Sequence, residues 1–479
     1  MLSIWVIIII GLPLWWKTTE IYRAQLPFAE IEEWSKKRER LDIKFSTHFT
    51  LFIATNVLEE NNNFNLKNLD IRLKESIASK YNLINNSKSV QFPVKFKIKE
   101  WNEWKDVLKE DFNLGQLNFT SKNGKYAFYI LPGNNENKKT KVLVGNQRQA
   151  IVQIEQIEHW NLEPSTEANV ELDSMRTMKY SPMYQVTFSL MNGDPSSLLV
   201  NWDIDQTVNK YLKPFVDKIS VISNLIVESQ IQHYARLTFE PQQKKIIENI
   251  NYNNDNDKYF YLTPDLLPHF INAAEWKLAS AVSSYPTLNF ILYVPSLEQS
   301  PLYIQDSKEN IIKNNAFLIP RWGGVVINNP DRSTGIHNFT SEELKSVMSI
   351  FIMQLRGLLG VQDFWVKAGS GLDSSVTIEF TSPQNTAITM WELDSLVRRR
   401  IAENIVATIL TLKSLSQLVA EIPNMVVLDH IQTEVLLALD SLKKSCTSLQ
   451  EEQYEIALQH AKKAIERAES AFFDPTMRN

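Results

Sequence analysis

Hydrophobic and polar positions follow two different periods along this chain, which predicts a mixture of strands and helices. In VKFKI at 94–98 and YQVTFSL at 184–190, apolar and polar residues alternate with a period of two. This period is typical of strands with one buried face and one wet face. Two runs that are almost wholly apolar, LNFILYV at 288–294 and GGVVI at 323–327, predict central strands covered on both faces.

Apolar residues spaced by three or four predict helices at about 205–219 and 273–284. A third helix is expected after Thr340, which forms a capping box with Glu343. From about residue 389 onward the strand pattern ends, and the spacing predicts helices at 390–420, 428–449 and 451–472. The last of these carries alanines along one face, where small side chains let helices approach closely. The pattern therefore predicts a mixed α/β (α+β) domain followed by a helical region.

Residues 1–16 form an apolar run without a charged side chain. As a helix the run would extend about 24 Å, close to the bilayer's hydrocarbon core of about 30 Å. Trp15 and Trp16 end the run and Lys17 follows, and tryptophan rings settle at the level of the lipid headgroups. A signal peptide would have a basic start and a small-residue cleavage site, and a buried globular helix would show a polar face. We therefore predict a retained N-terminal transmembrane anchor over 1–17, with these three residues at the membrane boundary.

Composition places the remainder among ordinary folded proteins. The chain has 479 residues, of which 44% are hydrophobic and 22% charged, enough for one large domain or two to three conventional ones. Its net charge of -5 argues against nucleic acid as a partner, since phosphate binding needs clustered Lys and Arg. The basic run KKRER at 36–40 is more typical of a solvated helix face than of a lipid-binding site.

The residues that commonly carry chemistry do not form an evident catalytic set. Cys446 is the single cysteine, which excludes an intrachain disulfide and a multi-thiolate metal site. Its spacing places it on the apolar stripe of the helix predicted at 428–449, as a small buried hydrophobe and not a nucleophile. The 7 histidines are scattered, and no nucleophile elbow, Walker A loop or H-E-x-x-H is present. We predict no catalytic residue, no cofactor and no metal.

One motif keeps a different class open, a type II lumenal glycosyltransferase-like enzyme. Asp203 and Asp205 form a D-x-D, which in such enzymes could hold a divalent metal and a nucleotide diphosphate. Asp205 also stands just before a predicted helix, where an N-cap carboxylate accepts backbone N–H bonds, and the pattern favours this cap. An ER cargo adaptor is a further alternative, which would not copurify with partners in fixed proportion.

Three N-x-S/T sequons, at Asn85, Asn118 and Asn338, indicate the compartment. Together with an uncleaved N-terminal anchor, they predict a glycoprotein of the endoplasmic reticulum membrane with the bulk of the chain in the lumen. Asn338 lies two residues before the capping-box Thr340, so we expect it on a surface loop.

Five segments, found in order along the chain, resemble the PIG-S subunit family of GPI transamidase. They are GLPLWWKTTEIYRAQLPF from Gly11, YPTLNFILYVPSLEQSPLYIQD from Tyr285, NAFLIPRWGGVVINN from Asn315, MWELDSLVRRRIAENI from Met390 and AFFDP from Ala471. The chain differs from the family at 157–175, where a short polar stretch replaces a longer helical region, and at its end, where the family continues into a second membrane span.

The resemblance implies a non-catalytic subunit of the complex that transfers preassembled GPI anchors to proteins bearing a C-terminal signal. Catalysis would belong to a separate cysteine-protease-like subunit, and the other partners would be the remaining subunits and the ER membrane, with GPI lipid and proprotein contacted indirectly. The expected domains are the anchor at 1–17, a lumenal mixed α/β domain at 18–387, a helical region packed on it at 388–473, and at 474–479 the start of a second transmembrane helix.

Two stretches are candidates for binding a partner subunit. In PRWGG at 320–324, proline and paired glycines flank an aromatic residue and break both periodic patterns, so Arg321 and Trp322 are our preferred contact residues. The alternative is a structural turn that leads into the next strand. The run Arg398 to Arg400 could meet an acidic partner, but a solvated helix face is the better interpretation.

Overall fold

The computed structural model describes residues 22–38, 43–54, 90–91, 94–101, 122–132, 140–145, 147–154, 177–237, 239–245, 258–271, 285–330, 335–361, 376–380, 387–422 and 425–478. Across these residues, no helix combines the length and the hydropathy that crossing a bilayer requires. The predicted anchor at 1–17, the helix predicted at 273–284 and the short polar stretch at 157–175 lie outside them.

The described strands, in chain order, are β1 (Ile43–Lys44), β2 (Thr47–Ala54), β3 (Val90–Gln91), β4 (Val94–Trp101), β5 (Lys125–Pro132), β6 (Thr140–Val144), β7 (Gln149–Ile154), β8 (Met183–Asn192), β9 (Leu198–Trp202), β10 (Asn224–His233), β11 (Gln242–Lys245), β12 (Lys258–Leu262), β13 (Thr287–Val294), β14 (Leu302–Ile304), β15 (Ala316–Ile319), β16 (Gly323–Ile327), β17 (Gly335–Phe339) and β18 (Val376–Phe380).

The described α-helices are α1 (Phe28–Arg38), α2 (Ile204–Thr207), α3 (Lys213–Ile219), α4 (Leu344–Leu359), α5 (Met390–Glu421), α6 (Asp429–Gln450) and α7 (Tyr454–Phe472). A π-helical turn, Val208–Leu212, joins α2 to α3, and short 3₁₀ helices lie at Pro264–Ile271, Leu297–Gln299 and Pro475–Arg478. The chain divides into two compact units: unit 1 comprises residues 1–140, 148–162 and 397–479, and unit 2 comprises 141–147 and 163–396.

Unit 1 contains a parallel sheet in the order β4-β2-β5-β7. Its central strands are buried, with Ile53 and Ile130 fully inaccessible to solvent. The helical part of this unit packs α1, α5, α6 and α7 around one apolar cluster. The alanine face predicted for the last helix is confirmed, since Ala457, Ala461, Ala464, Ala468 and Ala471 are all buried.

Unit 2 contains a sheet in the order β10-β8-β13-β16-β15, in which only the β15–β16 pairing is antiparallel. If the parallel strands of each sheet are numbered in chain order, both sheets have the spatial order 2-1-3-4. In unit 1 this is β4-β2-β5-β7, and in unit 2 it is β10-β8-β13-β16. This is the order of open doubly wound sheets. The same topology therefore occurs twice in this chain, although the sequence shows no repeat of fixed period.

Helix α4 covers one face of the unit 2 sheet. Phe351 of this helix lies 5.6 Å from the ring centroid of Phe188 on β8 and 5.4 Å from that of Phe290 on β13. The opposite face packs against β12, β14 and their connections in a second apolar cluster. Because both faces are covered, the central strands are buried on both sides, as is usual for parallel sheets.

The strands and helices predicted within the described residues are confirmed, but one face was assigned wrongly. The alternation in β8 predicted a wet face, whereas Gln185, Thr187 and Ser189 are at most 4% exposed. Gln185 donates to Glu228 and Ser189 accepts from Gln230 Nε2 at 2.8 Å. In β4, by contrast, the alternating lysines are exposed as expected.

Candidate interaction site

The PRWGG segment forms the hairpin turn between β15 and β16. Trp322 N donates to Ile319 O at 3.2 Å and closes the turn, while Arg321 adopts a left-handed φ of 60°. On its other side, the turn is fixed to β13, because Asn289 N donates to Trp322 O at 3.0 Å. The structure thus supports the structural-turn interpretation for the backbone of this segment.

The paired glycines are required by close packing. A Cβ on Gly323 would lie 1.7 Å from Asn289 O, and a Cβ on Gly324 would lie 2.0 Å from Gln354 Oε1. Gln354 in turn donates through Nε2 to Phe317 O at 3.0 Å. The hairpin is therefore clamped between a central strand and helix α4, which holds its tip in one position.

The two predicted contact residues differ in exposure. Trp322 is half-buried and packs against the apolar cluster on this face of the sheet, so its side chain serves the fold. Arg321 is exposed at the tip of the turn. Of the pair, only Arg321 therefore has the exposure expected of a residue that binds a partner.

Exposed apolar side chains lie on the elements beside the turn. Leu318 on β15 is 37% exposed and Met353 on α4 is 66% exposed. Met353 is one turn before Gly357 on the same helix face, and a Cβ on Gly357 would lie 3.9 Å from Leu318 Cδ2. An arginine bordered by exposed apolar side chains is typical of interaction surfaces. Sequence reasoning missed Leu318 and Met353 because both lie in apolar stretches whose other residues are buried or half-buried.

The crevice where doubly wound sheets bind ligands lies outside the carboxyl ends of the strands, where the strand order reverses. In unit 2 this point lies between β8 and β13, and the chain's own loop fills it. Gly193 N donates to Val294 O at 2.9 Å, and Asn192 Nδ2 donates to Leu198 O at 2.7 Å. A Cβ on Gly193 would come within 2.9 Å of Ser296 N. The loop therefore fills the crevice between β8 and β13, where the strand order of unit 2 reverses.

Two titratable groups, Asp194 and Tyr293, lie at this point. Hydrogen bonds from the Ser196 and Ser197 hydroxyls lower the pKa of Asp194. Burial raises the pKa of Tyr293, which keeps its hydroxyl protonated at neutral pH. At neutral pH, Asp194 is therefore ionised and Tyr293 is neutral.

The D-x-D motif caps a helix, although not through the predicted residue. Asp203 Oδ1 accepts from Gln206 N at 3.3 Å and is the N-cap of α2, whereas Asp205 lies inside its first turn. The prediction of Asp205 as the cap was therefore wrong by two residues. Over the part of the chain that the structure describes, no three His, Cys, Asp or Glu side chains are grouped as a metal site would require.

Cys446 was expected to be fully buried and is only half-buried on α6. Its neighbour Ser445 is fully buried instead, and the Ser445 hydroxyl donates to Ala457 O at 2.9 Å. Two of the scattered histidines lie within hydrogen-bond distance of a carboxylate: His48 Nε2 is 2.8 Å from Glu452 and His430 Nε2 is 2.7 Å from Asp474. The histidine pairs described are thus parts of local tertiary contacts.

The arginine run at 398–400 is not a uniformly solvated face. Arg400 is 4% exposed, and both it and Arg399 donate to Glu403 at 2.7 Å. The expectation of a solvated face failed because Arg400 is buried and Arg398 packs between two aromatic rings of unit 1. Helical spacing alone does not reveal which face is covered.

Arg398 is held between two tyrosine rings. Its guanidinium carbon lies 5.9 Å from the ring centroid of Tyr126 and 5.1 Å from that of Tyr454, and Nη1 donates to Thr47 Oγ1 at 2.9 Å. Burial raises the pKa of Tyr454 to about 12, so the phenol stays neutral beside the cation. Cation–π contacts of this kind join α5, β5 and α7 within unit 1.

Glu452 lies near this cluster. Burial tends to raise its pKa, but the hydrogen bond from His48 and the charges of His48 and Lys95 outweigh burial and lower the pKa from its usual value. Glu452 therefore stays ionised at neutral pH and links the end of α6 to β2.

The structure describes one of the three sequons. Asn338 is exposed on β17 and accepts through Oδ1 from Asn201 Nδ2 at 3.3 Å, so it lies on a short strand and not on a loop. The predicted capping box is confirmed, because Glu343 Oε2 accepts from Thr340 N at 2.8 Å. Asn85, Asn118 and the boundary residues Trp15, Trp16 and Lys17 lie outside the described residues.

Comparison with known proteins relates the chain to one family over nearly its full length. The family model described as "Phosphatidylinositol-glycan biosynthesis class S protein" matches residues 2–478. The chain is 31% identical over 504 residues to "GPI-anchor transamidase component PIGS" of Homo sapiens, covering 98% of this chain and 87% of that protein. It is 28% identical over 483 residues to "GPI transamidase component PIG-S homolog" of Schizosaccharomyces pombe, covering 100% of this chain and 77% of that protein.

Proposed function

The chain belongs to the PIG-S family, and from this membership we propose that it is a non-catalytic subunit of the GPI transamidase complex. In this role it supports the transfer of preassembled GPI anchors to proteins with a C-terminal signal, while another subunit carries the catalytic cysteine. The family match over residues 2–478 is the observation that carries the proposal.

The geometry of unit 2 supports a role without catalysis. The ligand crevice expected of a doubly wound sheet is filled by the loop at Gly193, and the carboxylate that would hold a metal-bound nucleotide, Asp203, caps a helix. The half-buried Cys446 lies in the last turns of α6, beside the fully buried Ser445. These observations favour a scaffold over the glycosyltransferase-like alternative.

We further propose that residues 1–17 anchor the chain in the ER membrane, with Trp15, Trp16 and Lys17 at the boundary and the remainder in the lumen. The uncharged apolar run and its terminal tryptophan pair support the anchor. The exposure of Asn338 supports the lumenal location, because an acceptor asparagine must be accessible to be glycosylated.

The proposed function is tested by affinity purification of the tagged full-length protein from a mild-detergent membrane extract. Near-equal recovery of the other transamidase subunits, including the cysteine-protease-like one, is expected. Recovery of the folded protein alone would contradict membership of the complex. A control purification of an unrelated ER membrane protein with the same tag sets the background.

Within this complex, we propose that Arg321, Leu318 and Met353 contact a partner subunit. Replacing Arg321 by glycine is expected to lower the recovery of a partner by about tenfold, as the loss of an interface anchor does. The fold should be kept, because glycine accepts the left-handed φ of 60° at this position. Quantitative mass spectrometry of the purified complex provides the measurement.

The matched control is Lys244→Ala, which removes another exposed cation of unit 2. It should leave partner recovery unchanged. Equal recovery with Arg321→Gly would exclude this contact and would leave membership of the complex intact.

Substitutions at the described sequon test the lumenal location. Asn338→Gln should produce a faster-migrating protein that lacks one glycan, with unchanged stability, because the Thr340–Glu343 cap is retained. Thr340→Ala should lose both the glycan and about 1 kcal/mol of stability. Thr340→Ser, which keeps sequon and cap, is the control. Asn338→Gln migrating like the unmodified protein on gels would count against a glycan at this site.

A further inference from the structure

The two sheets of equal topology expose the same edge. In each unit the second parallel strand lies at one end of the sheet, β4 in unit 1 and β10 in unit 2. An edge strand carries a row of unpaired backbone N–H and C=O groups, which can pair with another chain. The side chains on the two equivalent edge strands, β4 and β10, can therefore be compared directly.

In unit 1 the edge is protected by charge. The side chains of Lys95, Lys97 and Lys99 on β4 are all exposed. Lysine on an edge strand is a common means of preventing pairing with a further strand, since its charge cannot be buried cheaply. This edge is arranged to stay solvated.

In unit 2 the equivalent edge has no lysine, and its one charged side chain, Glu228, lies at a single position. Strand β10 is 10 residues long, NLIVESQIQH, and contains no lysine, arginine, proline or glycine. Its carboxylate, Glu228, accepts a hydrogen bond from Gln185. Ile226 is 39% exposed and Ile231 is 40% exposed. β-Branched side chains such as these favour pairing with a further strand. Among the described residues, no strand pairs with the outer side of β10.

The register shows which backbone groups point outward. Asn224 N donates to Pro182 O of the chain segment that leads into β8, so the N–H and C=O of even-numbered β10 residues face β8. In a strand these groups alternate in direction, so those of Leu225, Val227, Ser229, Ile231 and His233 face outward. Together they span about 26 Å, enough for a complete additional strand.

Since this chain is proposed to work inside a complex, we infer that the outer edge of β10 binds an extended segment of another transamidase subunit, which adds to the unit 2 sheet as a strand. Backbone hydrogen bonds supply the affinity, and apolar side chains at alternate positions of the segment pack against Ile226 on one face and Ile231 on the other. The segment is uncharged at these positions, because the edge offers it no cation.

A second copy of the same chain fits this edge less well. Self-pairing of β10 centred on Ser229 would bring two copies of Glu228 to diagonal positions about 7–8 Å apart on one face, where like charges repel. A different subunit with a neutral strand avoids this repulsion. The partner is therefore a heterologous one.

The first test uses a photo-crosslinking amino acid at Ser229, an exposed position, in the full-length protein within the purified complex. Illumination should join residue 229 to one short contiguous segment of another subunit, identified by mass spectrometry. The same probe at Lys97 on β4 is the control and should give no such product. Crosslinks to a second copy of this chain, crosslinks to lipid, or none at all in an intact complex would overturn the inference.

The second test removes one outward N–H. Proline is tolerated on an edge strand where its missing N–H faces away from the sheet, so Ser229→Pro should fold and yet reduce recovery of the crosslinked subunit about tenfold, whereas Ser229→Ala should not. Ile231→Lys, which copies the protection of β4, should have the same effect without a backbone change and keeps the test valid if the proline variant misfolds.

These outcomes separate the inference from the proposed function. Failure of the unmodified protein to copurify with any transamidase subunit would refute membership of the complex and the edge contact together. Normal copurification of the unmodified protein, of folded Ser229→Pro and of Ile231→Lys would refute the edge contact alone.

Discussion

Replacing Gly323 by alanine is expected to abolish the folding of unit 2. The added methyl group would lie 1.7 Å from the carbonyl oxygen of Asn289, which belongs to the central strand β13. Backbone on a central strand cannot move aside without breaking its pairing with β8 and β16. The φ of 156° at Gly323 adds strain for any residue with a side chain. We expect a loss of about 4 kcal/mol or more, measured as loss of steady-state protein and of resistance to limited proteolysis.

Gly357→Ala is the matched control for this prediction. Gly357 lies on the exposed side of α4, where a Cβ meets only Leu318 Cδ2 at 3.9 Å, an ordinary contact. Alanine in a helix interior is about 0.5–1 kcal/mol more favourable than glycine, so this variant should be slightly stabilised. Equal protease resistance of Gly323→Ala and the unmodified protein would show that the hairpin does not depend on close packing at β13.

Replacing Glu392 by alanine is expected to have the second largest effect. Glu392 is 2% exposed and accepts from Arg356 Nη2 at 2.8 Å, and it also accepts from Thr389 N at 2.8 Å in a capping box at the start of α5. Its removal takes the Glu392 carboxylate away from the buried Arg356 charge. Breaking such a pair costs about 3–5 kcal/mol, a large part of the usual stability of a domain.

Thermal unfolding of the full-length protein in detergent provides the measurement, with two companion variants. The double variant Arg356→Met, Glu392→Leu should regain much of the loss, because no buried charge then lacks a partner. Lys244→Ala, which breaks a solvent-exposed pair with Glu309, should leave the melting temperature nearly unchanged. A small effect of Glu392→Ala with a large effect of the double variant would contradict this account.

The sequence predicted strands and helices correctly where a regular hydrophobic period reflects the packing of one face against one neighbouring element. The strands at 288–294 and 323–327 are central and almost wholly buried, and helix α4 begins after its predicted capping box. The box at Thr389 and Glu392 has the same T-x-x-E spacing and could have been found by the same rule. The capping-box rule cannot predict the contact with Arg356, because this residue lies on α4, 36 residues away from Glu392 along the chain.

The candidate site was only half predictable. The pattern break at 320–324 located the turn, but only the packing shows that Trp322 supports the core while Arg321 is exposed. Similarly, the arginine run at 398–400 looked solvated because its helix face is rich in charge. The structure buries Arg400 beside Glu403, since tertiary contacts can cover a charged face when each charge has a partner.

By itself the sequence determined the local elements, the polar character of the β4 edge and, through long matching segments, the family. These properties depend on residues close together in the chain, or on identity at each position. Only the tertiary structure decided that the same sheet order occurs in both units, that β8 is buried on both faces, and that β10 lies at the edge of its sheet. The order of the strands and the burial of their faces depend on which distant segments pack together, and the local hydrophobic period does not encode this packing.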